Sequence, residues 1–182
     1  MIVVAIIGVL AVLATYGVRR YLFTSKTAEA TLNIGSIQRA AAEAQMREKM
    51  SGAYAAPGKT VNVGYGFCAS ETATVPTAAP KGRKYTSGMG DWSAGKGAGL
   101  NGVDAGFYCL RFSMLMPQYY AYGYTATGAG MTAGDKIQIT ANGDLDGDGV
   151  TSQFMMEGRI ATSGGANSLV WAPKPLATNP DE

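Results

Sequence analysis

Three aspartates lie at alternate positions in one short segment, Gly143 to Gly149. Asp144, Asp146 and Asp148 match the first, third and fifth positions of a helix–loop–helix calcium loop, and Gly149 matches the sixth. Carboxylates this close repel one another unless a cation neutralises them, and ligands that are all oxygen favour Ca²⁺ over softer metals. The spacing therefore favours a structural calcium ion.

The second half of the calcium pattern is incomplete. Its twelfth position, which a glutamate usually fills, falls on Met155, and the nearest acid downstream is Glu157. We expect the Val150 carbonyl, Ser152 and Glu157 to supply the remaining oxygens of an ion site. The alternative is an exposed Asp/Gly hairpin turn between two strands, without an ion.

The chain contains two cysteines, Cys68 and Cys109. In an exported protein such a pair indicates one disulfide, whereas in a cytosolic protein it indicates two buried thiols. The choice between them depends on whether the chain is exported.

Composition argues against an enzyme and against a dedicated nucleic-acid binder. The chain has no histidine, which excludes imidazole-based triads and metal sites. The glycine-rich run from Gly95 to Gly99 lacks the flanking strand and helix of a dinucleotide site. With 15 basic and 13 acidic residues, the net charge is +2, without the excess of Lys and Arg typical of nucleic-acid binding.

The elements that position these residues begin with a long N-terminal helix. Residues 1–18 carry no charge and would span about 27 Å as a helix, close to the ~30 Å hydrocarbon thickness of a bilayer. Arg19 and Arg20 follow. Good helix formers continue to Ser51 without a proline, and Gly52 supplies a stop. One apolar stripe is expected at helical spacing: Ile34, Ile37, Ala41 and Ala44.

The string Met1-Ile-Val-Val-Ala-Ile-Ile-Gly-Val-Leu-Ala11, continued by this helix, resembles the N-terminus of type IV pilins and type II secretion pseudopilins. In that family the string follows Phe-Thr-Leu-Ile-Glu-Leu after a peptidase cleavage site, so we expect the chain to be a truncated form. The family's N-methylated phenylalanine and register-setting glutamate correspond to no residue here. Tyr16 stands where the family often has proline, which leaves open whether the helix melts between Gly8 and Gly17 on assembly.

The resemblance implies a subunit held in the inner membrane of a Gram-negative bacterium and then built by pilus assembly machinery into an extracellular homopolymer. It implies a methylated fimbrial protein that serves motility, adhesion, DNA uptake or secretion. Because such a protein is exported, we expect the Cys68–Cys109 disulfide. The residues expected in the filament core are Ile2, Val3, Ile6, Ile7, Val9, Leu10 and Leu13.

After residue 52, short alternating runs between Gly, Pro and Asn clusters predict a β-rich head. The expected strands contain Val61, Val63, Tyr65 and Phe67; Tyr108, Leu110, Phe112 and Met114; Tyr120, Tyr122 and Tyr124; Lys136–Thr140; and Gln153–Met156. Residues 71–100 are the least regular and are expected to form an exposed variable loop. Its Lys81, Arg83 and Lys84 are either solvated charge or a contact for surfaces or DNA.

The sequence thus predicts an α+β pilin fold, with a helix over residues 1–52 packed on an antiparallel sheet within residues 53–182. The expected function is that of a major pilin, with no enzymatic activity and no cofactor other than Ca²⁺. The alternatives are a type II secretion pseudopilin or minor pilin and, from another class, a membrane-anchored monomeric domain that binds calcium or another ligand.

Overall fold

A 45-residue α-helix (α1, Ile2–Met46) forms the spine of the computed structural model, which describes residues 2–50, 63–99 and 103–180. At 1.5 Å per residue α1 is about 67 Å long. The helix buries one face along its second half, where Ala30, Ile34, Ile37, Ala41 and Ala44 are covered by the head. The apolar stripe predicted from the sequence is thereby confirmed.

The head is built on a five-stranded antiparallel sheet formed by β5 (Tyr120–Thr127), β6 (Lys136–Gly143), β7 (Ser152–Ser163), β8 (Ala166–Trp171) and β9 (Leu176–Thr178). The strand order is β5-β6-β7-β8, and β9 also pairs with β7. Two short pairs complete the described strands: β1 (Lys49–Met50) with β2 (Val63–Gly64), and β3 (Tyr85–Thr86) with β4 (Pro117–Gln118). A five-residue helix, α2 (Gly106–Leu110), precedes β4. The expected α+β architecture, a long helix against an antiparallel sheet, is confirmed.

Alternation along the central strands selects the sheet face that α1 covers. Tyr122 lies opposite Ala141, which lies opposite Phe154, so all three share one face. This face is buried and forms one cluster with the helix stripe: Tyr120, Tyr122, Tyr124, Ile137, Ile139, Ala141, Phe154 and Met156. The core thus lies between the second half of α1 and β5 to β7.

Three predicted elements differ from the structure in detail. The helix ends at Met46 instead of Ser51, because the chain bends at Arg47 and pairs as β1. The run from Tyr108 to Met114 was expected as a strand, but its first part lies in α2. There, Phe107 and Leu110 are buried three residues apart, as a helix requires. Of the described residues in the strand expected around Val61, only Val63 and Gly64 form a strand, β2, which pairs with β1. Val61 itself lies outside the described residues.

A carboxylate distant in sequence stabilises the N-terminus of α2. Glu71 Oε2 accepts the Phe107 backbone N–H at 2.9 Å, which satisfies a donor at the start of the helix. Gly106 adopts φ +50°, and a Cβ there would lie 2.0 Å from the same Glu71 oxygen. Only glycine fits this entry into the helix.

Candidate functional site

The first half of α1 exposes an apolar surface that the head does not cover. Ile2 is 78% exposed and Leu13 is 60% exposed, whereas Ile34 and Ile37 on the same helix are fully buried. All seven residues predicted for a filament core lie in this exposed stretch: Ile2, Val3, Ile6, Ile7, Val9, Leu10 and Leu13. A patch this size is unusual on a soluble monomer and marks a surface that something else must cover.

The exposed stretch has the length, composition and internal hydrogen bonding of a membrane span. The helix is long and apolar enough to cross a bilayer, and none of its most apolar 18-residue window is buried. Thr15 donates its hydroxyl to the Ala11 carbonyl at 2.8 Å, so this polar group is satisfied within the helix. At the end of the stretch, the Arg20 guanidinium donates to the Tyr16 hydroxyl at 3.4 Å. Together, an arginine and a tyrosine form a typical interfacial boundary.

Two polar contacts fix α1 on the head just past that boundary. Glu29 Oε1 accepts the Tyr119 backbone N–H at 2.8 Å, and Asn33 donates to the Tyr122 hydroxyl at 2.7 Å. Burial raises the pKa of the Glu29 carboxyl, an effect that the Tyr119 N–H and the charge of Lys84 oppose. Sequence reasoning missed these contacts, since each joins residues about ninety positions apart. The isolated Glu29, the first acid in the chain, was the one available signal.

The two cysteines form the expected disulfide. Cys68 and Cys109 are bonded across a sequence separation of 41, with their Cα atoms 5.9 Å apart. The backbone carbonyls of both cysteines accept hydrogen bonds from side chains. Arg47 Nη2 donates to the Cys109 carbonyl at 2.6 Å, and the Tyr124 hydroxyl donates to the Cys68 carbonyl at 3.2 Å. The disulfide therefore joins α2 to the segment beside β5, next to the end of α1.

The three aspartates converge in the turn between β6 and β7. One oxygen from each of Asp144, Asp146 and Asp148 lies within 4.8 Å of the others. Asp144 is buried and accepts the N–H groups of Gly147 at 2.7 Å and Gly149 at 3.1 Å. The Asp146 and Asp148 side chains are exposed, and each accepts one backbone N–H, from Asp148 and Val150 respectively. Backbone donors thus hold three carboxylates close together, an arrangement that fits a hard cation.

Of the other expected ligands, Val150 lies in this turn and Ser152 directly follows it, whereas Glu157 is carried away from it. Glu157 lies opposite Gln138 in mid-sheet, accepts a hydrogen bond from its amide at 2.9 Å and pairs with Lys136 at 3.9 Å. Glu157 lies five positions beyond Ser152 in β7, a distance of about 17 Å along a strand. Ser152 is buried and donates its hydroxyl to the Gly143 carbonyl. Proximity in sequence misled the prediction for Glu157, because the strand carries it away from the turn.

The segment from residue 71 to 99 is less exposed than the sequence suggested. Trp92 is buried and packs edge-on against Phe107 and Phe112, with ring centroids 4.9 and 5.3 Å apart. Its indole N–H lies 2.9 Å from Ser87 Oγ and 2.8 Å from the Met114 carbonyl. This part of the expected variable loop is core, although Lys81, Arg83 and Lys84 are exposed as expected.

Comparison with protein-family models, with curated proteins and with solved structures finds no match for this chain.

Proposed function

We propose that this chain is the repeating subunit of a type IV pilin-like surface filament, a major pilin that is stored in the inner membrane and then polymerised. The observation that carries the proposal is the division of α1. Its second half is fastened to the head by a buried stripe, while its first half exposes a continuous apolar surface. A helix with these two halves can hold a head and also pack with copies of itself.

The energetics favour two alternative environments for the apolar half. In the bilayer, residues 2–18 satisfy their own backbone groups and lie in lipid. Outside it, they would expose roughly 1,000 Å² or more of apolar surface, and burying that surface is worth on the order of 25 kcal/mol before entropy is subtracted. Packing many copies side by side removes the same surface from water. Contacts that do not close into a ring then give an open helical polymer.

The length of α1 favours the polymer over a simple anchor. A single span needs about 20 residues, whereas α1 continues unbroken to residue 46 and packs against the head from Phe23 onwards. The apolar half is thus a rigid continuation of the head, so neighbouring copies that align their helices also bring their heads into register. A pseudopilin or a minor pilin would use the same contacts, and the head's size and disulfide favour the major subunit.

Electron microscopy of the purified chain after detergent removal tests the proposal. We expect fibres from the wild type, few or none from Leu10→Lys, and wild-type fibres from Leu32→Lys. Both leucines are exposed on α1, at 59% and 71%, but only Leu10 lies in the apolar half. Dispersed particles from the wild type would instead favour the membrane-anchored monomer. Equal fibres from both variants would show that the apolar half does not form the core.

A second role, calcium binding at the acidic turn, is supported by the convergence of Asp144, Asp146 and Asp148. An ion there would neutralise the carboxylates and hold the turn between β6 and β7, which would make the head sensitive to extracellular calcium. We expect Ca²⁺ to raise the melting temperature of the wild-type chain and to leave that of Asp146→Ala unchanged. Asp104→Ala, which removes an acid elsewhere in the head, should still respond. An identical response from Asp146→Ala would remove the site.

A further inference from the structure

Three cationic side chains lie near the junction between the apolar half of α1 and the head. Arg19 and Lys26 are seven residues apart, two helical turns, so they share one face of α1 about 10 Å apart along the axis. Lys26 Nζ lies 5.0 Å from the centroid of the Tyr119 ring, and Lys84 Nζ lies 4.9 Å from the same centroid. The head therefore adds a third cation to the two from the helix. We call Arg19, Lys26 and Lys84 the basic collar.

The positive charge of the collar is only partly balanced. Residues 2–28 contain no aspartate or glutamate. The nearest acid along the helix is Glu29, which is half-buried and accepts the Tyr119 backbone N–H at 2.8 Å. Of the three collar cations, Lys84 is the one whose charge acts on the Glu29 carboxyl. Arg20 adds a further positive charge next to Arg19. An anion at the collar would lower the repulsion among these groups.

The collar lies at the depth of lipid headgroups. With residues 2–18 in the hydrocarbon layer, Arg19 is at its edge and the Lys26 backbone lies about 10 Å further out, a few Å beyond a polar layer that is about 5–8 Å thick. The Lys26 side chain extends back toward that layer, since its Nζ lies 5.5 Å from the centroid of the Phe23 ring. Tyr16 and Tyr21 flank this level, as aromatic side chains do at membrane interfaces. On the membrane side of the collar, Ala11, Val12, Thr15 and Tyr16 lie on the same face of α1 as Arg19, so a mostly apolar helix surface ends at a cation.

We propose that the basic collar binds the phosphate group of an anionic phospholipid while the chain is in the membrane. Because Lys84 belongs to the head and Lys26 to the helix, one headgroup contacts both parts and holds the head against the leaflet surface. Extraction into a fibre then requires release of that lipid. The inference rests on the membrane-stored state of the proposed function and is independent of fibre assembly.

Native mass spectrometry of the full chain in nanodiscs tests the site. The discs contain equal amounts of phosphatidylglycerol and phosphatidylcholine, and the lipids that stay bound on release of the protein are counted. We expect the wild type to retain phosphatidylglycerol preferentially. Each cation near an anionic surface contributes a factor of about five to binding, so Lys26→Gln/Lys84→Gln should lose roughly 25-fold of that preference.

Two matched variants separate this effect from a loss of net charge or of fold. Lys96→Gln/Lys136→Gln removes the same charge elsewhere: Lys136 is opposite Thr127, about 24 Å along β5 from Tyr120. Lys96 is beside Tyr108 in α2. This variant should retain the lipid as the wild type does. Lys26→Arg/Lys84→Arg keeps the charge and should also keep the lipid.

Each remaining outcome contradicts the inference. Equal retention by wild type and Lys26→Gln/Lys84→Gln would overturn it, as would an equal loss in the Lys96→Gln/Lys136→Gln variant. Displacement of the lipid by added inorganic phosphate would assign the collar to free phosphate instead. A chain that does not enter nanodiscs would overturn both the collar and the membrane-stored state, whereas insertion without lipid preference would overturn the collar alone.

Discussion

Replacing Ile37 with alanine should loosen the attachment of α1 to the head. Ile37 is fully buried in the middle of the helix stripe, within the cluster that includes Tyr122 and Ile139. Truncating a buried isoleucine to alanine removes apolar burial and leaves a cavity, and typically costs about 2–5 kcal/mol. Near the middle of that range, about 3 kcal/mol, a chain of this size should melt roughly 6–12 °C lower.

The matched control is Leu32→Ala. Leu32 lies on the same helix but is 71% exposed, so we expect its loss to change the free energy of unfolding by less than about 0.5 kcal/mol. Both substitutions place alanine in a helix interior, where ordinary residues are at most about 0.7 kcal/mol less favourable than alanine. A difference of about 2 kcal/mol or more between them therefore reports on packing against the head.

Thermal unfolding of the full chain in detergent micelles measures the effect. The fluorescence of Trp92 is a suitable signal, because this side chain is buried in the head core and is exposed on unfolding. Equal melting temperatures for wild type and Ile37→Ala would refute the docking of α1 through this stripe. An equal drop in melting temperature for Leu32→Ala would also refute it, since burial of the stripe would then contribute no more stability than the exposed face.

Two further predictions concern the head and its junction with α1. Replacing both cysteines by serine should lower the free energy of unfolding by about 4 kcal/mol, because the disulfide joins residues 41 positions apart and closes that loop in the unfolded chain. Chemical denaturation measures the loss, and an unchanged free energy of unfolding would contradict the prediction. Glu29→Gln should flatten the pH dependence of stability. The Glu29 carboxyl has a pKa raised above its ordinary 4.5, so the folded state holds the proton more tightly and loses stability as the pH rises through the raised value. Thermal melts from pH 4 to 8 check this, and a Glu29→Gln profile parallel to that of the wild type would contradict it.

The helix and central strands were predictable because their signals are periodic and local. Ile34, Ile37, Ala41 and Ala44 repeat at helical spacing and are buried. Alternation likewise identified β5 through its tyrosines, β6 from Lys136, and part of β7. These patterns predict the elements correctly because the apolar residues of each one lie on a single face, which is buried in the core.

The errors arise where distant residues decide the structure. Alternation from Tyr108 to Met114 resembled a strand, but Glu71, 36 positions before Phe107, satisfies the N-terminus of a helix there. Glu157 follows the acidic turn closely in sequence, yet β7 carries it to Gln138. The junction contacts of Glu29 and Asn33 depend on how the sheet meets the helix, which no local pattern encodes. Of the candidate sites, the aspartate cluster and the disulfide pair were predictable, and the basic collar was not.

Removal of residues 1–18 is the most direct test of the central claim, that one apolar segment lies in lipid before polymerisation and against its own copies afterwards. The measurement compares the full chain and the shortened chain by electron microscopy, with the buried Trp92 confirming that the shortened head is folded. We predict fibres from the full chain and only dispersed, folded particles from the shortened one. Native fibres built unaided by the shortened chain would contradict the account.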